Sequence, residues 1–348
     1  MDNLTDAIVT LNEQVNGLFP DCHIDLKELF EMLLQGKVTE VMKLLFEDMA
    51  RIFQGETKSL AEIMILLICL GILAALLTNL TELFENKQIA DIGFYFVYLF
   101  LVLILLRVFG IVSDTAQTLI SDLLLFMKLF MPVYFLAVGA ATGVTTALLY
   151  YQFILALIYG VEAALSAFLM PLVKVYLFLA FMNGLWTEEK LNMMMDLIRK
   201  IAGYALKISF AVVTGISMIQ SMITPVIDSM KMSAMQKTIS LIPGIGNVSD
   251  SVTEMVIGST VLIKNSVGVL TVCLLVLLCA VPAVKIWLFA MMLKFSAALT
   301  GVISDRRITS CIDRAGEGSL LILRILLTAI GLFLVTIAIV AMTTNRGF

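Results

Sequence analysis

The chain has 348 residues, of which 60% are hydrophobic and only 14% charged, with a mean hydropathy of +1.02 and a formal net charge of −4. Soluble chains are about 45–50% apolar and about 25% charged, so this sequence lacks the charge to clothe a core in a water-facing surface. That excludes a soluble enzyme, and it predicts an all-α, polytopic integral membrane protein whose first partner is the lipid bilayer. The small net charge and the lack of any long basic run exclude nucleic acid as a partner.

In chain order, residues 1–59 stand apart, with eleven Asp or Glu against five Lys or Arg. Apolar residues recur there at helical spacing, as in Leu26, Leu29, Phe30, Leu33 and Leu34, but no run is long enough to span. The segment is expected to lie outside the cytoplasm, either as a packed helical hairpin or with its apolar faces on the membrane surface. Residues 60–348 form the multi-pass domain. Seven to nine hydrophobic segments are expected in it, and the fullest reading places spans at 60–80, 91–112, 124–143, 146–164, 168–186, 204–224, 266–282, 284–303 and 319–342. The run from Thr145 to Leu185 is too long for one span and is divided near Glu162. Pro282 and Lys285 predict a tight turn or a re-entrant hairpin within 266–303.

Two polar stretches interrupt the series. Residues 187–203 read as an interfacial amphipathic helix carrying Asp196, Arg199 and Lys200, with its basic side chains toward cytoplasmic headgroups. Residues 225–265 are rich in Ser, Gly and Met. Gly244 and Gly246 imitate a dinucleotide fingerprint there, but no strand precedes them and the third glycine is missing. A nine-span count that starts outside puts 187–203 inside but Arg306, Arg307 and Arg314 outside, against the positive-inside rule. A re-entrant 266–303 removes the conflict.

Few residues carry chemistry. The five cysteines (Cys22, Cys69, Cys273, Cys279 and Cys311) form no CxxC pair, and His23 is the lone histidine, so no metal site or cofactor is expected. With one histidine, no paired carboxylates in a polar setting and no phosphate loop, no enzyme is expected either. The GAATG run at Gly139–Gly143 suits close helix packing. Methionine is frequent, with 21 residues, and reads as adaptable packing. Charges inside apolar runs cost at least about 2.5–3.5 kcal/mol at the bilayer centre. Arg107, Lys128, Lys174, Lys207 and Arg324 lie near predicted span ends, where long stems can snorkel. Lys294 in WLFAMMLKFSAALTG and Glu162 in LIYGVEAALSA lie deeper. Either could face a polar cavity or another subunit, and the two could pair; an interfacial turn is the bland reading of Glu162.

Three stretches carry a family likeness. They are residues 25–106, from DLKELFEMLLQGK through ILAALLTNLTELFEN to IADIGFYFVYLFLVLILL; residues 240–269, SLIPGIGNVSDSVTEMVIGSTVLIKNSVGV; and residues 304–322, SDRRITSCIDRAGEGSLLI. With them the chain resembles the stage III sporulation protein AE family of endospore-forming Firmicutes. Pro243, Gly246, Ser249, Asp250, Gly258, Lys264, Asn265 and Gly268 fall in the family's pattern. The resemblance implies a pore-forming or pore-supporting subunit of a channel or secretion complex between mother cell and forespore. It further implies an oligomeric assembly with other membrane subunits, in the mother-cell membrane facing the intermembrane space. An autonomous small-solute transporter is the alternative. Members of the family usually begin with a cleavable signal peptide, whereas this sequence opens at Met1–Asp2 on an amphipathic helix without a basic n-region.

Overall fold

The computed structural model describes residues 61–69, 71–73, 75–76, 87–142, 156–186, 190–239, 275–276 and 279–345, with a few isolated positions in the first 60. About 95% of the structure is helical, and no strand occurs among the described residues. We number the helices α1 (Ala61–Leu73), α2 (Lys87–Thr142), α3 (Ala156–Leu185), α4 (Asn192–Ile239), α5 (Cys279–Thr300) and α6 (Arg306–Asn345). Among the described residues, stretches of four helices are long and apolar enough to cross a membrane: Ile92–Leu125, Ala156–Leu185, Cys279–Thr300 and Arg306–Val335.

Several expected boundaries disappear because hydropathy and helicity are different properties. The spans at 91–112 and 124–143 are one helix of 56 residues. The polar stretch between them, starting at Ser113, contains no proline or glycine, so nothing stops the backbone ladder. Ser113, Ala116, Leu119, Ile120 and Leu123 are buried along that stretch, and the Thr115 hydroxyl donates to the Ile111 carbonyl at 2.8 Å. The 187–203 helix and the 204–224 span are likewise one continuous helix from Asn192.

The division near Glu162 is also absent. In its place α3 has one widened π turn over Leu165–Leu169, and the Met170 amide reaches back to the Leu165 carbonyl. Pro171 follows at once, so the wider turn accommodates a residue with no N–H to donate and a ring that would strike the preceding turn. The expected reversal at Pro282–Lys285 does not occur within α5, which runs straight from Cys279 to Thr300. The chain turns instead at Gly301–Asp305. There Gly301 N donates to Ala297 O at 2.9 Å and Ser304 N to Thr300 O at 2.7 Å. Asp305 then caps α6 by accepting from Arg307 N at 2.8 Å.

Helix α6 is the centre of the bundle. Of its apolar window 61% is buried, against 39–44% in the other three spans, and it packs on α2, α3 and α4. Small residues allow that approach. A Cβ on Gly316 would stand 3.2 Å from Lys294 Cγ of α5, and one on Gly318 would stand 3.4 Å from Phe109 of α2. Gly184 of α3 has no room for a side chain at all, because the Tyr98 hydroxyl occupies the space. One continuous core joins these helices, and Met32 of the acidic segment packs against it.

The α3–α4 turn and the α5–α6 turn therefore lie at the same end of the bundle, where Asn192 meets Arg314. This puts the basic residues of 190–200 and of 306–314 on one side, so the orientation conflict in the nine-span count does not arise. In a background without native cysteines, Lys190→Cys and Val302→Cys should react with an impermeant maleimide from the same side of the membrane. Labelling of one in intact cells and of the other only after permeabilisation would contradict this topology.

Candidate functional site: a polar clamp between two helical hairpins

Where the two hairpin tips meet, the interior of the bundle turns polar. Asn183, near the end of α3, is 5% exposed and holds the α3–α4 turn by accepting from Leu191 N at 3.0 Å. Its Nδ2 donates to Asn192 Oδ1 at 3.2 Å, and Arg314 Nη2 of α6 donates to the same oxygen at 3.4 Å. One short polar chain thus ties three helix ends together.

Glu317 of α6 lies just beyond. Oε2 accepts from the Tyr176 hydroxyl of α3 at 2.6 Å and from Arg314 Nη1 at 3.1 Å, while Oε1 accepts from Arg199 Nη1 of α4 at 3.1 Å. Arg199 also pairs with Asp196 at 3.5 Å, one turn back on its own helix. Tyr176 is fully buried, so its hydroxyl depends on this carboxylate for a partner. Three donors from α3, α4 and α6 converge on one carboxylate, and bonds of this charge-assisted kind are the strong ones in a low-dielectric interior.

Contacts of three more side chains, Lys294, Tyr98 and Arg307, hold the same end. Lys294 Nζ of α5 meets Asp313 Oδ1 of α6 at 2.7 Å. Tyr98 of α2 donates to the Phe181 carbonyl of α3 at 2.7 Å and lies 3.5 Å from Cys311 Sγ of α6. Arg307 stacks over the Phe94 ring at 3.7 Å while bonding Asp305 through Nε at 3.3 Å and Nη2 at 3.1 Å. Between the tips an open cleft of about 540 Å³ is lined by Asn183, Trp186, Asp305, Arg306 and Arg307 among others.

The two residues singled out in the sequence are not brought together. Lys294 sits near the Thr300 end of α5 and takes Asp313, not Glu162, as its partner. Glu162 lies about 30 Å up α3 from Asn183, at 1.5 Å of rise per residue. It is 0% exposed, and neither carboxylate oxygen has a hydrogen-bond partner among the described residues. Pro243, Gly246, Ser249, Asp250, Gly258, Lys264, Asn265 and Gly268 lie outside the described residues, as do Cys22, His23 and Gly143. The side chain of Lys128 and those of the remaining GAATG residues are likewise not described. Among the described residues no group of His, Cys, Asp and Glu could hold a metal ion, and Cys69, Cys279 and Cys311 are free.

In the sequence Asp196, Arg199 and Arg314 stand out only as interfacial or orienting charges, and nothing singles out the other clamp residues, Tyr176, Asn183, Asn192 and Glu317. Two signals for them were present. Asp196 with Arg199, and Arg314 with Glu317, are opposite charges at helical i,i+3 spacing. Most of the α6 contribution lies in the 304–322 stretch.

These features define a multi-pass, all-helical membrane protein with a polar clamp in its interior. The profile of stage III sporulation protein AE (spore_III_AE) matches residues 24–344, and the chain belongs to that family. It is similar to the stage III sporulation protein AE of Bacillus subtilis (strain 168), at 24% identity over 280 residues, covering 80% of this chain and 70% of the relative. No solved structure matches it.

The clamp predicts an order of costs. Glu317→Leu strands three donors in a site where the carboxylate is 21% exposed, and should destabilise the purified protein by about 2–4 kcal/mol. Lys294→Met breaks a pair that is 28% and 44% exposed, and should cost about 1 kcal/mol or less. Thermal unfolding in one detergent checks both, and equal losses would contradict the central position of Glu317.

Proposed function

We propose that this sporulation membrane protein is a pore-forming or pore-supporting subunit of a multiprotein channel joining mother cell and forespore. It would sit in the mother-cell membrane facing the intermembrane space, assembled with other membrane subunits. The observation that carries this reading is the clamp. A bundle that needs only to anchor itself in lipid can be apolar throughout, since ionisable groups within membrane helices are costly and generally mark functional paths. Here residues of α3, α4, α5 and α6 converge in one ionic network, and membership of a sporulation family supplies the setting.

One observation favours a second reading, an autonomous small-solute transporter. The α3–α4 and α5–α6 hairpins meet at polar residues, and the substrate sites of secondary transporters lie where two halves of the bundle meet. Purified chain reconstituted alone in liposomes would move solute under that reading and not under the first.

Clean deletion of the gene, in a host without a paralogue, should leave engulfment complete and stop late forespore development. Normal spore yield would contradict the assignment.

A further inference from the structure

Although α6 is the most buried span, its exposed positions are not scattered. From Asp313 onward, Asp313, Glu317, Leu320, Arg324, Leu327 and Thr328 are exposed or partly so, whereas Ala315, Leu321, Ile325 and Leu326 between them are buried. At 100° per residue the first set falls within an arc of about 100°, and from Asp313 to Thr328 it climbs about 22 Å along the helix axis. Lys294 of α5 and Arg199 of α4 reach this stripe through their pairs with Asp313 and Glu317. The open face of the central helix is thus an ionic track bordered by two other helices.

Snorkelling from a span end does not account for the far part of this track. Helix α6 is continuous from Arg306 to Asn345, so Arg324 lies in mid-helix, and it is exposed. Among the described residues no carboxylate pairs with it. Lys207 on α4 is exposed at a comparable height, beyond Arg199 and before Phe210, whose ring lies 3.4 Å from a Cβ built on Gly331. Side chains of this kind do not face hydrocarbon, and they mark water-filled paths.

From Asp313 onward the track holds three cations (Lys294, Arg199 and Arg324) against two carboxylates (Asp313 and Glu317), a net of +1. Arg314 and Asp196, which flank it, add one charge of each sign and leave that balance unchanged. Arg324 stands beyond the last carboxylate.

We propose that this face of α6 is the wall of an aqueous path through the membrane, and that it passes small anionic solutes, with Arg324 as the discriminating charge. The proposal rests on the pore-forming reading and narrows it to one helix face and one class of solute.

The test uses full-length chain without native cysteines, in membrane vesicles, with single cysteines at Leu320, Leu327 or Thr328 and, as a buried control, Leu326. Charged, impermeant methanethiosulfonates are the probes, one anionic and one cationic. The track positions should react and Leu326→Cys should not. Relative to a free thiol, the anionic reagent should be favoured about threefold or more at Leu327→Cys, as expected for one positive charge within a few ångströms of a partly hydrated site. Arg324→Gln should abolish that preference. Using three track positions keeps the result decisive if one variant fails to accumulate.

Track cysteines that react only with a lipid-soluble maleimide would overturn the path, placing the stripe against lipid. Track cysteines that cross-link between two copies and stay closed to both charged reagents would overturn it in favour of a dry interface. A preference unchanged by Arg324→Gln would overturn the anionic class. Because labelling is read in vesicles, a reactive track together with normal sporulation of the deletion strain would retire the mother-cell assignment and leave the path standing.

Discussion

A carboxylate withdrawn from water needs donors, and Glu317 takes its donors from three helices at once. Tyr176 of α3, Arg199 of α4 and Arg314 of its own helix all point at its two oxygens. Between apolar helices in lipid there is no hydrophobic driving force, so close packing and interhelical hydrogen bonds must hold a bundle in register. Glycines at 316 and 318 bring α6 close to α5 and α2, and the Glu317 bonds fix α3 and α4 in rotation and height. The neighbouring Asn183–Asn192–Arg314 chain depends on the same alignment, since it links the two tips that Glu317 holds together.

This arrangement explains where hydropathy served well as a guide and where it did not. The membrane class and all-helical fold follow from composition alone, because 14% charge leaves no alternative solvent for the surface. Span boundaries do not follow, because a drop in hydropathy is not a break in the helix. Around Ser113 the chain turns polar without a residue that stops the backbone ladder, and one helix of 56 residues results. At Pro171 a strong breaker is present, yet a single π turn takes it up without a reversal. Merging these elements matters for chemistry. Arg107, Lys174, Lys207 and Arg324, read as charges near span ends, all become exposed residues in mid-helix.

The site was partly legible. Lys294 stands out as a charge deep in an apolar run, but the sequence does not show its partner, because the α5–α6 turn that brings Asp313 beside it lies at Gly301–Asp305 and not at Pro282. Glu162 stands out for the same reason; it is completely buried, with no counter-charge beside it among the described residues. The clamp was hidden because its members occur as ordinary surface-like i,i+3 pairs in two stretches far apart in sequence. Only tertiary structure turns two solvated-looking helix faces into one part-exposed network between helices.

The central claim is that Glu317 couples α3 to α6, which a double-mutant cycle between Tyr176→Phe and Glu317→Leu measures directly. Chemical unfolding of the purified protein in one detergent gives the four stabilities. If the 2.6 Å bond between these residues holds the hairpins together, the two losses fall short of additivity by about 1 kcal/mol or more. Losses that add within about 0.5 kcal/mol would show two independent groups and contradict the clamp.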